Sequence, residues 1–141
     1  MSFSATDHEA VTRFIRHCGA GVIATLGDDG RPQAAFVGLA VAPDGTVVLD
    51  AAESSRKVAN IVARPEVAIA ITGDDVSVQV EGQARVAGGA ERERRGEEYA
   101  EQFPGSRALE SGFSVIAVDV HWVRVYDART RPPHVSEASW R

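Results

Sequence analysis

The segment Val76–Val86 constrains the fold more than any other. Val76, Val78 and Val80 alternate with Ser77, Gln79 and Glu81. A period of two places one set of side chains on each face of a β-strand, so this stretch predicts a strand with one buried face. A strand of that kind needs neighbours, and the rest of the chain supplies them. Gly21–Leu26, Pro32–Ala42, Thr46–Ala51, Glu66–Thr72 and Phe113–Asp127 read as strands. Turn signals separate several of them: Asp28-Asp29-Gly30, Pro43-Asp44-Gly45 and Gly73-Asp74-Asp75. Strands joined by tight turns pair antiparallel.

Three segments carry the helical period instead. Val11, Phe14, Ile15 and Cys18 mark a helix over residues 7–18, with Thr6 and Glu9 as a capping box and Gly19 as the stop. A short helix opens at Glu53 or Ser54, with Val58, Ile61 and Val62 as its apolar face, and Pro65 ends it. Ala90–Phe103 is a charged helix anchored by Tyr99, Ala100 and Phe103. Its run Glu91-Arg92-Glu93-Arg94-Arg95 reads as a solvated face. The tail beyond Pro132-Pro133 looks irregular. The expected order is α-β-β-β-α-β-β-α-β. Six mostly antiparallel strands in one domain over residues 1–141 imply a mainly β (α+β) chain, a small closed or partly closed barrel with peripheral helices.

Composition removes several function classes. The net charge of −5 argues against a nucleic-acid partner, which selects for a basic face. A single cysteine, Cys18, precludes an internal disulfide and reads as a buried, inert thiol. His8, His17, His121 and His134 are scattered, and no metal cluster is expected. No apolar run approaches the ~20 residues that span a bilayer. Residues 1–5 lack the basic-then-apolar pattern of a leader, so a cytoplasmic location is the default expectation. GxGxxG, GxxxxGK[ST] and GxSxG motifs are absent. Ser, His and Asp are too common here to locate a triad, and no catalytic residue is assigned.

One local anomaly remains, at Ser54-Ser55-Arg56-Lys57. A helix start exposes unpaired N–H groups and the positive end of the dipole, so acidic residues belong there. This one carries two hydroxyls, a guanidinium and an ammonium. Lys57 is the only lysine among fifteen basic residues. A bound phosphate reverses the sign of the argument, because N–H donors, Arg56 and Lys57 then all face an anion. An ordinary surface helix start is the competing reading.

The surroundings of this segment resemble a known family. Gly21-Val22-Ile23-Ala24-Thr25-Leu26, Asp29-Gly30-Arg31-Pro32, Ser55-Arg56-Lys57-Val58-Ala59-Asn60-Ile61, Arg64-Pro65-Glu66-Val67-Ala68 and Val78-Gln79-Val80-Glu81-Gly82-Gln83-Ala84 occur in order. Together they resemble the pyridoxamine 5′-phosphate oxidase-like flavin-binding split barrels, as does the tail Trp122-Val123-Arg124-Val125-Tyr126-Asp127. The resemblance implies a six-stranded antiparallel split β-barrel, a homodimer, and FMN at the dimer interface. It implies that Ser55, Arg56 and Lys57, with Ser54 beside them, grip the FMN phosphate. Ser77 and Gln79 would lie by the isoalloxazine ring, or stand as solvated strand residues. Trp122 would touch the cofactor, or serve the core or the dimer contact. The expected activity is flavin-dependent redox chemistry on a small molecule. Alternatives are F420 as cofactor in the same fold, or a non-catalytic flavin- or haem-binding protein.

The chain also departs from the family pattern. The vitamin-B6 oxidases carry basic residues on the second strand that also reach the phosphate. Here the segment from Gln33 to Ala42 holds none, and Ala34 and Leu39 or their neighbours stand at those positions. A hydroxyl pair just before the triplet is replaced within Leu49-Asp50-Ala51-Ala52. No counterpart of the long C-terminal extension that holds the substrate phosphate follows. Pyridoxine 5′-phosphate oxidation is therefore not implied.

Overall fold

A computed structural model of the protein describes residues 3–140. Met1 and Ser2, which open the segment read for a leader, lie outside them, as does Arg141. Three helices and eight strands follow in the order α1 (His8–Cys18), β1 (Ala20–Leu26), β2 (Pro32–Gly38), β3 (Ala40–Val41), β4 (Val47–Ala52), α2 (Arg56–Ala63), β5 (Glu66–Gly73), β6 (Val76–Val86), α3 (Gly89–Gln102), β7 (Phe113–Asp127) and β8 (His134–Ser139). The strands form one antiparallel sheet, ordered β2-β1-β5-β6-β7-β4-β3, with β8 on β7.

The sheet has eight strands rather than the expected six. One extra strand arises because the expected strand Pro32–Ala42 divides at Leu39. Up to Gly38 it pairs with β1; from Ala40 it pairs with β4. Between them, the Leu39 N–H donates to the Gly19 carbonyl at 2.9 Å, off the ladder. The two ends of the sheet path are thus consecutive in the chain, and the sheet curls into a split barrel. The second extra strand is the tail. Strand β7 is long enough for two neighbours on one edge: β4 covers Phe113–Val118, and β8 covers Trp122–Asp127.

The alternation of β6 holds. Val76, Val78 and Val80 are buried inside the barrel, while Gln79 and Glu81 are exposed and Ser77 half-buried on the outer face. In the β6–β7 ladder, Glu81 faces Trp122 but Gly82 faces Val120, so His121 is an extra residue. Such a bulge changes which parity faces inward. Ile116 and Val118 are buried before it, and Val123 and Val125 after it. Gly82 admits this contact because a Cβ there would lie 2.2 Å from the Asp119 carbonyl oxygen.

Helix α1 is capped by Asp7, not Thr6, because Asp7 Oδ1 accepts from the Ala10 N–H at 3.0 Å. Gly19 ends it at φ 70°. Helix α3 covers the outer side of β3, β4 and β7, where Ala40, Ala42, Val48, Tyr99 and Val115 form a second apolar cluster. That cover explains why β7 is buried on both faces from Ser114 to Val118. Arg95, expected on a solvated face, is only 4% exposed. It turns in toward Asp44, Thr46 and Glu98. No described helix is long and apolar enough to cross a membrane.

Candidate cofactor site

Strand β4 leads into α2 through a tight turn in which the Ser55 N–H donates to the Ala52 carbonyl at 2.9 Å. The helix begins two or three residues later than the sequence predicts. Ser55 is its extended cap residue at φ −74°, ψ 155°, and Arg56 and Lys57 are its first two helical positions. The first turn holds no acid. The Ser55 hydroxyl makes no capping bond: Oγ is buried without a hydrogen-bond partner. A buried polar atom left unpaired is costly and calls for an occupant.

The rest of α2 anchors this start to the barrel. Val58 and Ile61 face the core, but Val62, expected beside them, is 73% exposed. The buried third position belongs to Asn60, at 6% exposure. Its Nδ2 donates to Thr25 Oγ1 on β1 at 2.9 Å and to Gln33 Oε1 on β2 at 3.0 Å. Arg64 extends the attachment, its Nε donating to the Leu26 carbonyl at 2.8 Å.

A cavity of about 250 Å³ opens between this helix start and the barrel. Ser55, Arg56 and Lys57 form one wall, Thr25 and Gln33 another, and Ile23, Ala34 and Ala35 the apolar remainder. Neither Arg56 nor Lys57 pairs with a carboxylate among the described residues. Unpaired cations, free helix N–H groups and an orphan hydroxyl suit an anion. The cavity falls below the ~300–1,000 Å³ of a whole small-molecule site. It therefore fits a small anionic group or one end of a larger ligand.

Of the residues singled out from sequence, the structure brings Ser55, Arg56 and Lys57 together. Ser54 is exposed and outside the cavity lining. Ser77, Gln79 and Trp122 lie on the outer face of the sheet. Ser77 stands between Thr72 and Tyr126, and Gln79 between Ala70 and Arg124. Strand β6 is three strands from β2, about 14 Å at the usual spacing. Trp122 lines a separate groove of about 410 Å³ with Ala24, Leu26, Ala68, Glu81 and His121. Within one chain these three do not meet the helix start. Sequence reasoning missed Thr25, Gln33 and Asn60. The available signal was Asn60, a polar side chain at the core-facing spacing of α2.

Another cavity, about 770 Å³, is lined by His8, Arg16, Asp44, Asp119, His121 and Trp140 among others. Its charged groups are already engaged. Asp44 pairs with Arg95, Asp119 with Arg85, and Arg16 donates to the Val41 carbonyl. His8 stacks on Trp140 at 3.9 Å between ring centroids. No three His, Cys, Asp or Glu side chains among the described residues gather to hold a metal ion.

Comparison with known proteins agrees with this architecture. Solved structures of the same fold include a haem-binding protein from Mycobacterium smegmatis, 23% identical with a TM-score of 0.79. That match covers 99% of this chain and 59% of the other, so the chain spans about three-fifths of that protein. A conserved hypothetical protein from Mycobacterium tuberculosis is 23% identical at a TM-score of 0.76, covering 89% of this chain and 88% of its own. A pyridoxamine 5′-phosphate oxidase-related, FMN-binding protein from Nostoc punctiforme matches over all of both chains at 13% identity and a TM-score of 0.69. No curated protein matches significantly. The sequence model of the pyridoxamine 5′-phosphate oxidase family matches residues 7–127. The chain thus belongs to the pyridoxamine 5′-phosphate oxidase family, from the cap of α1 to the last residue of β7.

Proposed function

We propose that the protein is a flavin-dependent oxidoreductase that holds FMN by its phosphate at the start of α2 and acts on a small molecule. The buried, partnerless Ser55 Oγ beside the unpaired Arg56 and Lys57 carries this reading. A bound flavin would supply the redox chemistry. The chain's own part is to bind and orient: hydroxyl, guanidinium, ammonium and helix N–H groups take the phosphate, and Ile23, Ala34 and Ala35 offer an apolar wall beside it. Family membership and the FMN-binding neighbour from Nostoc punctiforme support the choice of cofactor.

The same reading makes the protein a homodimer. Phe36 is 76% exposed on the outer face, with Val22 at 39% and Leu26 at 37%. Ala34, Ala24 and Ala68 lie in one row across β2, β1 and β5, and Phe36, Val22 and Ala70 in the next. A contiguous apolar face of this kind marks an interaction surface. The family resemblance implies that in such a dimer Ser77, Gln79 and Trp122 of one protomer approach the helix start of its partner.

Mass identification of the molecule released on denaturing the purified protein tests the cofactor. Release of FMN and a yellow protein are expected. Colourless protein that binds added F420 but not FMN would replace the cofactor, and a Soret band would assign haem instead.

A further inference from the structure

Asn60 is buried on α2, one turn beyond the cap. Both hydrogens of its amide nitrogen are committed, one to Thr25 Oγ1 and one to Gln33 Oε1. Each of those partners can both donate and accept. By occupying acceptors, Asn60 leaves donors unspent: the Thr25 hydroxyl hydrogen and the Gln33 amide N–H₂. Neither donor has a partner among the described residues, and Thr25 is 2% exposed. Both side chains line the cavity at the α2 start, beside the orphan Ser55 hydroxyl, Arg56 and Lys57. Every polar side chain on that wall is thus either cationic or left with a donor to offer. Strand β2, from Pro32 to Gly38, contributes no cation.

We infer that Asn60 is a positioning residue for an anion. It occupies the acceptors of Thr25 and Gln33, so that the Thr25 hydroxyl is left to donate to the cavity and the Gln33 amide hydrogens, on the side of Gly27, stay free at its edge, where β2 has no basic side chain. The identity of the anion, the cofactor phosphate, rests on the function proposed above. Thr25 and Gln33 are then phosphate-binding residues, and Asn60 acts through them.

The test compares FMN with riboflavin, which lacks the phosphate, in fluorescence titrations, and uses inorganic phosphate as competitor. Gln33→Glu keeps an acceptor for Asn60 and replaces the free donors with a carboxylate. It is expected to weaken FMN binding about tenfold or more, from the loss of a hydrogen bond to a charged group together with repulsion by the added carboxylate, with riboflavin unchanged. Asn60→Asp turns a double donor into an acceptor that draws the Thr25 and Gln33 donors toward itself. It should reduce the preference for FMN over riboflavin in the same way. A merely structural role would weaken both ligands alike and leave their ratio untouched. If Asn60→Asp does not fold, Asn60→Ser, which removes the double donor without adding a charge, takes its place with the same expected loss of preference. A wild type that prefers FMN, with variants that retain the full preference, overturns the role of Asn60 and leaves the clamp standing. A wild type that binds FMN and riboflavin equally, undisturbed by phosphate, overturns the clamp and this inference together.

Discussion

Replacing Asp44 by Asn would remove one charge from the contact that ties α3 to the β3–β4 turn. Arg95 Nη2 donates to Asp44 Oδ2 at 2.9 Å, and Nη1 to Oδ1 at 3.3 Å. The hydrogen bonds from Arg95 hold the Asp44 carboxyl down to about 2 from an ordinary 3.8, against the opposing effect of burial. At ~1.4 kcal/mol per pH unit this is about 2.5 kcal/mol. The Asp44 side chain is 57% exposed, and solvent screening reduces the contribution to roughly 1 kcal/mol. A carboxyl depressed in the folded state stabilises above its unfolded value, and that stability is lost as pH falls through the folded one. Urea denaturation should therefore place wild type about 1 kcal/mol above Asp44→Asn at pH 7. The gap should close between pH 3.8 and about 2. A gap that stays constant with pH would refute the electrostatic reasoning, and no gap at pH 7 would refute the contact. FMN affinity serves as the control, since Asp44 is not part of the cavity at α2.

Lys57→Ala should weaken FMN binding by about 1.5–3 kcal/mol, the worth of a hydrogen bond to a charged group; unchanged affinity in a calorimetric titration would remove Lys57 from the site. The Tyr99 phenol is pushed up to about 12, first by burial and then by Asp50. In a Tyr126→Phe background, where Tyr99 is the only tyrosine, its phenolate absorbance should therefore titrate near 12 rather than 10.0. The associated stability is complete below 10.0 and lost as pH rises through about 12; a midpoint near 10.0 would show that Tyr99 is not enclosed. Phe36→Glu should dissociate the dimer by removing about 2 kcal/mol or more of apolar burial from each protomer. Sedimentation would show this as a halved mass, and a monomeric wild type would contradict the interface.

Much of this protein is local enough to be legible in the sequence. The alternation through Val76–Val80 marks a strand with one buried face, and the structure buries those valines. The turn signals fall where the backbone needs positive φ, at Gly30 (79°), Gly45 (88°), Asp74 (54°) and Asp75 (61°). The cations at the start of α2 stand out because they oppose the helix dipole. Each of these is a property of a few consecutive residues.

The remainder depends on partners remote in the chain. The polar tail His134–Ser139 has no strand pattern of its own, and becomes β8 because β7 leaves part of an edge open. Arg95 reads as solvated until Asp44, 51 residues away, meets it. Asn60 finds Thr25 at a separation of 35 residues and Gln33 at 27. Periodicity reports which side of an element is buried, but it does not report what waits there. The sequence by itself determined six strand segments, the three helices and the two cations at the α2 start. Only the tertiary structure decided which donors join them, because a hydrogen bond requires two groups within about 3 Å, and that proximity is created by the closing of the barrel.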